Sequence, residues 1–188
     1  MSLPIEDYGI IGDTHTAALV GTNGSIDWLC LPRFDSGACF ARLLGDERHG
    51  YWQLRPTAEW VSHRRYRGDT LVLETQFESA QGMVRVVDCM PVRESHPQVV
   101  RIVECVHGRV DMRMDLVIRF GYGQIVPWVR RVDGLLTAVV GPDALALWTP
   151  VRTRGEEMTT VAEFTVTAGQ QIPFVLTWFP SNESAPRP

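Results

Sequence analysis

The widest range of side-chain chemistry in this sequence is packed between Asn23 and Leu44, NGSIDWLCLPRFDSGACFARLL. Asn23-Gly24 is a turn signal, and Asp27 interrupts the short apolar strand Ile26 to Leu31 that follows. Pro32-Arg33-Phe34-Asp35-Ser36 breaks that strand, so a guanidinium, an aromatic ring and a carboxylate stand in consecutive positions at Arg33, Phe34 and Asp35. Such a loop presents polar groups at a sheet edge, or else only closes a corner. Ala38 to Leu44 reads as one or two helical turns, with Asp35 or Ser36 placed to cap the exposed amides.

Other reactive residue types are more scattered. Asp13 and His15 invite a metal or acid–base reading, but Gly-Asp-Thr-His is also ordinary turn chemistry in which Asp bonds its own backbone. Histidines at 15, 49, 63, 96 and 107 have no ligand spacing. No phosphate loop, G-x-G-x-x-G, G-x-S-x-G or H-E-x-x-H occurs. No metal or cofactor is therefore expected, and no catalytic residue is assigned. Glycoside hydrolysis needs two carboxylates about 5 to 10 Å apart, and nothing here selects such a pair; Asp27 and Asp35 are the nearest candidates. Of six Trp residues, Trp28, Trp148 and Trp178 lie in apolar runs and are expected to be buried. Trp60 and Trp128 are the better candidates for an exposed platform on which a sugar ring stacks. Cys30, Cys39, Cys89 and Cys105 form no C-x-x-C pair and read as reduced, mostly buried thiols, although a Cys30–Cys39 disulfide is possible in principle.

The elements that must hold these residues are strands. Tyr8 to Ile11, Thr16 to Val20 and Ile26 to Leu31 are separated by Gly- and Asp-rich turns. Tyr51 to Leu54 resumes after a polar loop, and Trp60 to Arg67 reads as a charged edge strand. In Leu71 to Glu78, Leu71, Leu73, Thr75 and Phe77 share one face. Met83 to Cys89 and Val99 to Val106 follow, and in Val110 to Ile118 every even position is apolar. Pro127 makes Ile125 to Val132 an edge strand or a bulge. Leu135 to Val140, Ala144 to Trp148, Val161 to Val166 and Ile172 to Phe179 are further strands, and Arg152 to Met158 is a polar turn region. Roughly a dozen short strands, one short helix and no strand–helix alternation predict an all-β fold, a large antiparallel β-sandwich.

The chain has 188 residues, which suits one domain, and at 45% hydrophobic it can bury a core. Net charge is −4 and every cation is Arg, which gives no electrostatic case for nucleic acid or an anionic membrane. No apolar run reaches the ~18 residues of a spanning helix, and the N-terminus lacks the pattern of a signal peptide, so a cytoplasmic location is expected. The polar, Pro-rich tail after Pro180 reads as a linker.

Ile5-Glu6-Asp7-Tyr8-Gly9-Ile10-Ile11-Gly12-Asp13 and Asn23 through Ser36 resemble the N-terminal region of prokaryotic glycoside hydrolase family 15 proteins, the bacterial glucoamylase-like enzymes and actinobacterial trehalases. Asp88-Cys89-Met90-Pro91, Ile125-Val126-Pro127-Trp128 and Leu176-Thr177-Trp178-Phe179-Pro180 are similar to later blocks of that region. The resemblance implies a supersandwich-like N-terminal domain over 1–180, and at 181–188 the start of a linker to a catalytic (α/α) barrel outside this chain. That barrel carries the two catalytic glutamates, and the enzymes hydrolyse α-glucosidic bonds with inversion. The implied partners are the barrel and, in the whole protein, an α-glucoside; the free domain is expected to be inactive and to self-associate through the uncovered interface. Arg33, Phe34, Asp35 and Trp128 are the expected substrate-binding residues, with the Arg33-Phe34-Asp35 loop reaching the barrel's substrate mouth. A carbohydrate-binding module using Trp60 and Trp128, or a purely structural interaction domain, are the alternatives. Two positions depart from the family pattern: Gly37 stands where Pro is common, and Gly121 where Asp is common.

Overall fold

A computed structural model describes residues 3–187; Met1, Ser2 and Pro188, the outer ends of the expected domain and linker, lie outside that range. Fifteen strands run β1 (Tyr8–Gly12), β2 (Ala17–Gly21), β3 (Ser25–Cys30), β4 (Ala38–Phe40), β5 (Tyr51–Pro56), β6 (Trp60–Tyr66), β7 (Leu73–Ser79) and β8 (Gly82–Cys89). There follow β9 (Gln98–Val117), β10 (Trp128–Val132), β11 (Leu135–Val140), β12 (Asp143–Trp148), β13 (Arg154–Glu156), β14 (Thr159–Thr167) and β15 (Gln171–Pro180). All pairings are antiparallel. The fold is all-β and sandwich-like. Among the described residues no helix is long and apolar enough to cross a membrane.

The two layers share β9. Its first half pairs with β8 and β15, and its second half with β5 and β14. Val99, Val103, Val110, Met112 and Met114 along it are fully buried, so one strand supplies core to both layers. The sequence suggested two strands here, Val99 to Val106 and Val110 to Ile118; they are one, because the exposed His107-Gly108-Arg109 step is where the chain passes between layers. Gly108 takes φ 82°, and a Cβ there would lie 2.4 Å from the Gln81 carbonyl oxygen. A side chain at this crossing is excluded by both backbone conformation and space.

Alternation places Arg101 on the core face between Val99 and Val103, fully buried. Its guanidinium is held by Asp88, at 2.7 and 3.2 Å, and donates to the carbonyls of Trp52 at 2.7 Å and Gly24 at 2.8 Å. The pair thus fastens β8 and β9 to β5 and to the turn before β3, and every charge-bearing group is bonded, as burial requires.

The helix expected over Ala38 to Leu44 is absent. Ala38–Phe40 is the short strand β4 paired with β3, and only Arg42–Leu44 makes a 3-10 turn. All three β4 residues are buried, so tertiary pairing outweighs local helix preference. Neither Asp35 nor Ser36 caps a helix. Arg154–Glu156 is a short strand inside the stretch read as a turn, and Leu71 precedes β7 and is exposed. Trp28, Trp148 and Trp178 are half-buried rather than buried; the fully buried indole is Trp52. The tail after Pro180 lies on the sheet, with Ala185 packed against the cluster of Leu135, Ala144, Ala146 and Phe179.

Candidate functional site

One end of the sandwich gathers four segments: the β1–β2 turn, the 31–37 loop after β3, the chain after β9, and the entry to β10. The 31–37 loop closes on itself. Arg33 N donates to Ser36 Oγ at 3.1 Å, and Ser36 N donates to the Arg33 carbonyl at 3.1 Å. Arg33 Nε meets Asp35 Oδ1 at 3.0 Å, with 68% and 75% of the two side chains exposed. Phe34 is 63% exposed. The hydrogen bond from Arg33 holds the Asp35 carboxyl below its usual pKa. In the free chain, therefore, Arg33 and Asp35 bond each other, and both remain open to a further partner.

Asp27 plays no part on that surface. It is 1% exposed and accepts hydrogen bonds from Tyr8 Oη at 2.6 Å and from Ser25 Oγ, with Arg42 Nη1 at 3.8 Å. Burial, and then the bond to Asp27, push the Tyr8 phenol up. Asp27 is a fully partnered interior acid, so it makes no accessible carboxylate pair with Asp35. Cys30 and Cys39 are free buried thiols, pushed up by burial and unsuited to nucleophilic work. Among the described residues no cluster of three His, Cys, Asp or Glu side chains is placed to hold a metal.

Beside the loop lies an apolar surface. A Cβ on Gly37 would stand 4.0 Å from the Gly121 backbone, and Tyr122 N donates to the Ala38 carbonyl at 3.3 Å. The departures from the family pattern at Gly37 and Gly121 therefore face one another. The ring of Tyr122 lies 6.0 Å from that of Trp28. Ile125 bridges back to Phe120, and Val126 and Trp128 continue the surface to Met158, around a cleft of about 380 Å³ that also takes in Ile118, Arg119 and Glu156. Tyr122, Ile125, Val126, Trp128, Val129 and Met158 are each between 43% and 72% exposed, Trp128 the most. Single exposed apolar residues are ordinary; a contiguous set marks an interaction site. The Arg130 guanidinium lies 5.6 Å from the Trp128 ring centre. Trp60, by contrast, is half-buried and packs edge-on against Phe77 at 4.9 Å, so it offers no platform.

Sequence reasoning placed Arg33, Phe34, Asp35 and Trp128, and the structure brings the first three together with Trp128 farther along the same end. It missed Tyr122 and Met158 as parts of that surface, and Arg93, which reaches the Asp13 turn. Asp13 is a turn former as read: its Oδ1 accepts from His15 N at 3.0 Å and Thr16 N at 2.9 Å.

Residues 1–180 match the family described as trehalase-like, N-terminal. A trehalase of Thermoplasma volcanium is 37% identical across 68% of this chain and 22% of its own length. Trehalase 1 of Sulfolobus acidocaldarius is 35% identical across 70% of this chain and 22% of its own. A trehalase of Mycolicibacterium smegmatis is 29% identical across 98% of this chain and 31% of its own. The chain spans less than a third of the length of each of these relatives. It belongs to the trehalase-like N-terminal family.

Proposed function

We propose that this chain is the accessory N-terminal domain of a trehalase-like hydrolase of α-glucosidic bonds. It packs on a catalytic (α/α) barrel of the same longer protein and lends the Arg33-Phe34-Asp35 loop to the substrate mouth. The observation that carries this reading is the adjacency of two surfaces: an exposed Arg–Asp pair, suited to sugar hydroxyls, and the apolar face from Tyr122 through Trp128 to Met158. The first offers charge-assisted hydrogen bonds; the second is a surface that a stable partner buries. The length of the relatives supplies room for that partner. Catalytic carboxylates belong to the barrel, and the domain alone turns over nothing. The carbohydrate-module reading is weakened, because Trp128 lacks a coplanar partner in Trp60.

The test is an assay of the isolated chain with trehalose, maltose and dextrin, beside isothermal titration with the same sugars. Neither turnover nor binding is expected. Turnover by the isolated chain would sink the accessory reading, and binding without turnover would favour the module. In the longer protein, Arg33→Ala with Asp35→Ala is expected to lower kcat/KM for trehalose roughly ten- to a hundredfold at unchanged thermal stability. Unchanged kinetics would remove the loop from the substrate mouth.

A further inference from the structure

We infer that Arg93 and Asp13 form a strap that fixes where the Arg33–Asp35 loop points, making Arg93 a positioning residue for the contacts that loop makes. The inference rests on the proposed function for the importance of the loop, but not for the strap itself. Arg93 lies in the segment between β8 and β9, far from the loop in sequence. Its Nε and Nη2 meet Asp13 Oδ2 at 2.8 and 2.7 Å, and Nη2 also donates to the Pro32 carbonyl at 2.7 Å. One guanidinium thus grips the β1–β2 turn and the residue that starts the loop.

The turn grips the loop in return. The His15 carbonyl accepts from Phe34 N at 3.1 Å, and Thr16 Oγ1 donates to the Cys30 carbonyl at 2.6 Å. Asp13 holds His15 and Thr16 in place through its other oxygen. The Asp13 side chain is fully buried and that of Arg93 is 14% exposed, so water competes poorly for these bonds. Pro32 and Phe34 are therefore anchored on both sides of Arg33. The Arg33 and Asp35 side chains, among the described residues, bond only each other. The backbone is fixed and the side chains are left free, which is the arrangement a presented polar pair requires. A planar fork makes these bonds at once; a single ammonium at the end of a flexible stem does not reproduce them.

The test is a double-mutant cycle in the longer protein, with kcat and KM for trehalose and thermal unfolding measured together. Expected is a fall in kcat/KM of roughly tenfold or more for Arg93→Ala, with no further loss when it is added to Arg33→Ala/Asp35→Ala. Millimolar guanidinium is expected to restore part of the Arg93→Ala loss and none of the loop variant's. If the loop variant lowers activity while Arg93→Ala does not, or if the two losses multiply, the strap is overturned and the loop's role stands. If the loop variant itself leaves kinetics unchanged, the role proposed for the loop fails, and the strap is judged on hydrogen exchange in the 188-residue chain. There the Phe34 amide is expected to exchange at least about tenfold faster in Arg93→Lys than in the unaltered chain, at matched global stability. An unchanged Phe34 rate overturns the strap.

Discussion

Asp13 and Glu74 are carboxylates removed from water and kept ionised by arginines. Burial works against the charge on Asp13, but the bonds from Thr16 N and Arg93 outweigh it, and its pKa is lowered. Burial likewise opposes ionisation of Glu74, and the guanidiniums of Arg67 and Arg65, at 2.6 and 2.8 Å, outweigh it. A carboxyl depressed in the folded state contributes its stability above its unfolded pKa and loses it as pH falls through the folded value. Urea unfolding across an acid series is therefore expected to show stability falling once pH drops below about 4. Asp13→Asn is expected to cost on the order of 3 kcal/mol at neutral pH, because it leaves the mostly buried Arg93 charge without its partner, and to flatten the acid slope. An unchanged slope would mean that Asp13 does not carry the linkage. At this scale the turn at Asp13 was legible, since Gly-Asp-Thr-His is local chemistry. Arg93 was not, because the pair it makes joins residues 80 apart in sequence. Trp60 misled for a related reason: the basic residues that follow it give no sign that its ring lies against Phe77.

Strand β9 holds the two layers together. Gly108→Ala places a side chain at φ 82° and within 2.4 Å of a carbonyl oxygen, and it is expected to destabilise by about 1–3 kcal/mol from the backbone alone. Chemical denaturation reads this as a lower midpoint at unchanged slope. Arg101→Met strands Asp88 in the core and is expected to cost about 3–5 kcal/mol in the same measurement; a loss under ~1 kcal/mol would contradict the reading of that pair as the tie between β5, β8 and β9. Alternation made Val110 to Ile118 readable as a strand. The junction was not readable, because His107-Gly108-Arg109 has the composition of a turn while its residues still pair with β8 and β14. β4 failed in the opposite sense: Ala-Cys-Phe followed by Ala-Arg-Leu-Leu has acceptable helix propensity, and its burial on both sides by β3 and the segments after β9 is a long-range fact.

For the whole molecule, alternation and turn chemistry were enough to give an antiparallel sandwich, since period two is clear in Leu71 to Glu78 and Val110 to Ile118 and turn signals separate the other strands. The location of the apolar face was not readable. Tyr122, Ile125 and Trp128 are near one another in sequence, but Met158 joins them only through the fold. If that face is an uncovered interface, the isolated chain is expected to self-associate at high concentration, and Ile125→Ser with Trp128→Ser to reduce the association measurably in sedimentation. A chain that stays monomeric with or without those substitutions would remove self-association from the picture, while leaving the packing on a barrel to be tested directly.

That direct test is hydrogen exchange on residues 33–37 and 121–129, compared between the 188-residue chain and the proposed longer protein. Packing on a barrel predicts markedly slower exchange at both segments in the longer protein, with rates elsewhere on β6 and β7 unaltered. Equal rates at both segments in the two proteins would contradict the proposed docking of this face.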